Sequence, residues 1–188
     1  MPARYGEEYI TKTLKCQYSC AVTAMLNVCA NNKFFSVTSE SARKKTYENL
    51  FILSQTKLNT STGEYVTDKT KMGYSVAMLA KMNKGVVVSY TRKEKPSLSF
   101  FTSAINKGYS SVLGISTSCR NGSKIGVAGH AYSVIGYKNF APCNSGGTSK
   151  VYLKVATGWG NLGDTEYILY NSINVISKYG IVWEYKPK

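Results

Sequence analysis

The chain has 188 residues, 43% hydrophobic and 18% charged, the balance of one globular domain and not of a disordered or fibrous chain. Its 24 basic and 10 acidic residues leave a net charge of +14, which draws polyanions through a long-range, salt-sensitive field. The longest apolar runs, Val76 to Ala80 and Val86 to Val88, fall far short of the roughly 20 residues of a membrane span, and no heptad or long repeat occurs.

Residues 1–15 read as an extended lead-in. They carry no apolar signal-peptide core, so the chain is either cytosolic or had a leader removed before Met1. Fifteen tyrosines, five cysteines and many Ser, Thr and Asn lean towards an exported protein. From Cys20 the pattern turns helical: Ala21, Ala24, Met25, Val28 and Cys29 form one apolar stripe, Ser19 is placed to cap it, and Asn31-Asn32 ends it. A second helix runs from Thr38 to about Lys57, capped by Thr38, Ser39 or Ser41, and a polar loop covers Leu58 to Lys71. A third helix spans Tyr74 to Asn83, with Gly85 as its stop. Residues 85–90 read as a strand, and Pro96 opens another helix to Asn106, ended by Gly108.

After Ser110 the period changes. Residues 112–116, 131–137, 151–155, 166–170 and 181–185 are short β-rich runs split by turns. Helices first and strands second predict an α+β fold in one domain, with a helical lobe over about 16–108 packed on a twisted antiparallel sheet over about 109–188.

The only histidine, His130, opens an apolar-alternating strand between Gly129 and Ala131, small neighbours that leave room beside an imidazole. A lone histidine is more often structural, so its setting matters more than its presence. Cys20 stands at the start of the first helix, where exposed N–H groups and the helix dipole favour a thiolate. An imidazole brought near by the fold would take its proton. The plainer alternative for Cys20 is half of a disulfide or a buried thiol. Of the other cysteines, Cys16 precedes the helix and is a disulfide partner or a lesser nucleophile. Cys29 lies on the apolar stripe as a buried thiol, and Cys119 and Cys143 are placed to bridge two turns in an exported protein. With one histidine and no Cys-x2-Cys pair, neither a metal nor another cofactor is expected.

Residues 16–28, CQYSCAVTAMLNV, resemble the helix-opening nucleophile segment of papain-like cysteine peptidases, nearest to the bacterial C39-like group. Residues 129–137, GHAYSVIGY, resemble that family's histidine strand. Residues 101–116 resemble the helix and strand before it, and residues 151–160, ending ATGWG, the strand and Trp-Gly turn after it. The resemblance implies a papain-like fold with Cys20 as nucleophile and His130 as general base and acid. It also implies an orienting residue before the turn, aligned here with Thr157. The family has Asn or Asp there, whereas a threonine brings no charge. No Asp or Glu lies between Lys95 and Gly163, and Asn161 and Asp164 are the nearest alternatives. The family's oxyanion glutamine sits about six positions before the nucleophile, where this chain has Leu14; Gln17 and the Cys20 N–H are the candidate donors. The group's frequent Gly after the nucleophile is Ala21. Tyr18 and Trp159 would line the substrate site, with Trp159 covering the histidine. Tyr132 and Tyr137 are equally suited to core or cleft.

The expected activity is therefore peptide-bond cleavage in a peptide or protein substrate, in a secreted or cell-surface bacterial protein with a polyanionic cell-surface partner. A different acyl transfer or amidase reaction on the same fold is the second reading. An inactive binding or toxin-accessory scaffold, suggested by Thr157, is the third. The basic residues are scattered, with clusters only at Arg43-Lys44-Lys45 and Arg92-Lys93-Glu94-Lys95. Neither cluster lies in a recognisable nucleic-acid module, so no specific nucleic acid is expected.

Overall fold

The computed structural model describes residues 20–61, 63–84, 86–115, 120–121, 124–125, 129–143, 146–158, 165–170 and 177–186. The lead-in, Cys16, Gln17, Tyr18, the Ser19 cap, Gly85, Cys119, Trp159, Asn161 and Asp164 lie outside them. Helix α1 (Cys20–Asn31) is built from small and apolar residues and is buried from Ala21 to Cys29. The expected stripe is only part of this: Val22, Thr23, Leu26 and Asn27, off the stripe, are buried as well. A stripe marks a helix with one solvent face. This helix has none over most of its length because it is packed from both sides. Helices α2 (Glu40–Leu53) and α3 (Met72–Lys84) pack on one side of it. The Ser39 hydroxyl caps α2 by accepting the Ala42 N–H at 3.1 Å.

The other side of α1 meets a six-stranded antiparallel sheet ordered β3-β10-β4-β7-β8-β9. Its strands are β3 (Val88–Glu94), β4 (Ser111–Ile115), β7 (Ala131–Phe140), β8 (Lys150–Ala156), β9 (Thr165–Leu169) and β10 (Ser177–Tyr185). Two short hairpins complete the described strands, β1 (Lys57–Asn59) with β2 (Glu64–Val66), and β5 (Arg120–Asn121) with β6 (Lys124–Ile125). Helix α4 (Leu98–Asn106) covers the opposite face of the sheet, and Gly108 follows it at φ 85°. The architecture is thus mixed α and β, with four described helices around one antiparallel sheet.

Two segments differ from the sequence reading. Residues 58–71 are not all loop: Leu58 faces Tyr65 across the β1–β2 hairpin, and the Tyr65 ring packs against Phe51 with centroids 5.3 Å apart. The strand expected at residues 85–90 runs instead from Val88 to Glu94, through the basic cluster, and pairs with β10 at the sheet's edge. Charged residues suit an exposed edge strand, where they oppose further pairing. The sheet therefore takes a strand from before Gly108, and the line between helical and sheet regions is crossed.

Two contacts set how α1 meets the sheet. At its C-terminal end the Asn32 side chain donates to the Ser110 carbonyl at 3.1 Å and accepts from the Ser110 N–H and hydroxyl at 2.7 and 2.8 Å. This pins the helix end to the entrance of β4. Towards its start, Tyr179, Gly114 and Ala131 form one cross-strand row on β10, β4 and β7. The Tyr179 ring lies over Gly114, where an added Cβ would come within 2.3 Å of it. Gly114→Ala is therefore expected to cost about 2–3 kcal/mol, because ring and central strand cannot both move aside. Urea unfolding would read this as a lower midpoint at unchanged slope.

Candidate functional site

Cys20 is the first residue of α1, half-buried, and its N–H is one of the helix's first four, which lack intrahelical acceptors. His130 stands immediately before β7, the strand on which α1 packs. Main-chain bonds hold the histidine in place: its carbonyl accepts the Ile115 N–H at 2.9 Å, and the Gly129 N–H donates to Ile115 O at 3.1 Å. Gly129 sits at φ 75°, a left-handed turn that glycine enters without strain. The expected small residue before the histidine thus serves the turn.

The imidazole is 3% exposed. Its Nε2 bonds the main-chain carbonyl of Thr157 at 2.5 Å, and its ring meets the Tyr132 ring edge-on at 4.5 Å between centroids. A carbonyl only accepts, so Nε2 carries the proton and Nδ1 of the neutral ring carries the lone pair. Thr157 follows β8, which pairs with β7, and this pairing brings its main-chain oxygen to His130. The contact is made by its main-chain oxygen and not by its side chain. A main-chain oxygen is present whatever the side chain, so no sequence signal could have shown this. Gly158, at φ 74°, brings the same segment to α1: an added Cβ there would lie 3.6 Å from the Thr23 methyl, one turn beyond Cys20.

Tyr179 is a site neighbour that sequence reasoning missed. It is buried, its hydroxyl lies 3.4 Å from the Met72 sulfur, and burial first, then the charge of Cys20, push its phenol up. Only the pairing of β10 with β4 reveals it. Tyr132 is core, whereas Tyr137 is exposed and donates to Asn106 Oδ1 at 2.9 Å. Cys29 is a buried thiol, driven upward in pKa by burial. Cys143 is an exposed free thiol, so it does not form the expected bridge with Cys119. Among the described residues no three His, Cys, Asp or Glu side chains group to hold a metal ion.

Burial lowers the His130 pKa from 6.5 to about 4, and the Thr157 carbonyl only partly opposes this. The unfolded chain takes up this proton near pH 6.5 and the folded chain near 4, so protonation favours unfolding. Stability is expected to fall by about 2 kcal/mol between pH 7 and 5. His130 is the only histidine, so His130→Gln should flatten urea-unfolding stability across that window.

No protein-family model matches the chain. No curated protein matches it by sequence. Among solved structures it is similar to the SERA5 proenzyme of Plasmodium falciparum, with TM-score 0.36 and 19% identity over 52% of this chain and 31% of that one. It is also similar to SERA5E of the same organism, with TM-score 0.34 and 18% identity over 52% of this chain and 48% of the other. The chain spans less than half the length of either.

Proposed function

We propose that the chain is a papain-like thiol hydrolase of the C39-like kind, a cysteine peptidase acting through Cys20 and His130 on peptide or protein substrates outside the cell. The observation that supports this most is the Nε2–H bond of His130 to the Thr157 carbonyl. It orients a buried imidazole with its lone pair on Nδ1, on a strand end packed against the helix that Cys20 begins.

In this reading His130 Nδ1 takes the Cys20 proton, and the sulfur attacks the acyl carbon. A C–S bond forms and the carbonyl electrons move to oxygen, where the Cys20 N–H and Gln17 are the candidate donors. The oxyanion collapses, the C–N bond breaks, and His130 passes its proton to the leaving amine. A water deprotonated by His130 then attacks the thioester. The C–S bond breaks, releasing the acid and restoring the thiol. Burial favours the neutral form of His130, the form that accepts a proton.

The test is thiol labelling by limiting iodoacetamide, mapped by mass spectrometry, with and without His130→Ala. Cys20 should label faster than the exposed Cys143, and the mutation should slow it at least tenfold. Cys29 should label only after unfolding. Thr157→Val, which keeps the carbonyl, should leave the Cys20 rate within about threefold.

The same burial favours a second reading. Burial holds the His130 imidazole towards its neutral form, as a scaffold that binds without cleaving would tolerate. Cys20 labelling no faster than an ordinary thiol, and indifferent to His130→Ala, would sink the peptidase and leave the binding scaffold.

A further inference from the structure

The sheet carries a second chemical surface at the end of β7 and β8 away from His130. Beyond the register shift that follows Val134, Gly136 faces Lys154, Lys138 faces Tyr152 and Phe140 faces Lys150. On the next strand Tyr167 faces Lys154. Residues directly opposite one another point to the same face, and so do residues two apart on one strand. Three lysines and three aromatic rings therefore share one face of three adjacent strands.

The rings gather there. Phe140 lies edge-on to Tyr152 at 5.1 Å and to Tyr167 at 5.4 Å between centroids. The lysines stand over them: Lys138 Nζ is 4.9 Å from the Phe140 centroid, and Lys154 Nζ is 5.9 Å from that of Tyr167. Phe140 is 38% exposed, and Lys138 and Lys150 are exposed. Among the described residues of these three strands no acid lies on this face. Strands β7 and β8 lie in the stretch without Asp or Glu, and Glu166 on β9 pairs with Val155, placing it on the opposite face. Single exposed aromatics need no explanation, but a cluster interleaved only with cations is different.

We propose that Lys138, Phe140, Lys150, Tyr152, Lys154 and Tyr167 form a platform for single-stranded nucleic acid, bound by base stacking and phosphate charge without sequence preference. Lysines act as point charges towards phosphates, and aromatic rings on a sheet offer faces and edges to unstacked bases. A duplex keeps its bases stacked inside, and a plain polyanion has nothing for the rings to hold. The platform stands whether or not Cys20 is a nucleophile, because it shares no residue with that site.

The test uses the full chain and a fluorescein-labelled oligodeoxythymidine of about 15 nucleotides, followed by anisotropy over a salt series. Polyphosphate and polyglutamate serve as competitors. The oligonucleotide should bind, and Phe140→Ala with Tyr152→Ala should weaken it at least tenfold while leaving the salt slope unchanged. Lys138→Gln and Lys154→Gln should each reduce that slope by about 0.7. The lysine variants leave the rings in place, so they carry the test if the double aromatic variant fails to fold. Polyphosphate or polyglutamate competing as well as unlabelled oligonucleotide would overturn the platform and leave only net charge. Salt slopes unmoved by the platform lysines but reduced by Arg43→Gln, Lys44→Gln and Lys45→Gln would do the same.

Discussion

Burial of α1 on all sides is the constraint on which the other features rest. A helix without a solvent face needs layers on both sides, and the chain supplies them with α2 and α3 on one side and the sheet on the other. Small residues on the helix, among them Ala21 and Ala24, let the layers approach closely. Asn32 pins one end of the helix to Ser110, and the Tyr179–Gly114–Ala131 row lies under the other. Cys20 is thereby held at a defined place, at the positive end of the helix dipole. The strand it meets begins just after His130.

The histidine follows from the same packing. Its ring is sealed against Tyr132, so it cannot turn freely, and one main-chain carbonyl decides which nitrogen carries the proton. A carboxylate would orient the ring and also favour its charged form. A carbonyl orients it and leaves burial to favour the neutral form. The fold loses stability as that ring is forced to charge.

Helix periods and strand alternation were legible because each depends on near neighbours. The helices that include residues 20–31, 40–53 and 98–106 and the five strands after Ser110 that join the six-stranded sheet were all visible as patterns. The boundaries moved by a few residues where a cap decided them, as Ser39 did for α2. What could not be read locally was hidden for a physical reason. Residues 57–59 and 64–66 pair as a hairpin whose Tyr65 packs on Phe51, a residue of another element. The charged segment 88–94 becomes a strand only because β10 offers it an edge.

By itself the sequence determined that this is a basic chain of helices followed by strands, with a cysteine at a helix start and a single histidine at a strand start. Local propensity and the count of titratable groups are enough for that. Tertiary structure alone decided that α1 is buried all round, that Tyr179 lies over Gly114, and that a main-chain oxygen of Thr157 holds His130. It also gathered Phe140, Tyr152 and Tyr167 from three strands onto one face. Register pairs residues far apart in the chain, and a backbone carbonyl is the same in every residue, so neither leaves a mark in the order of side chains.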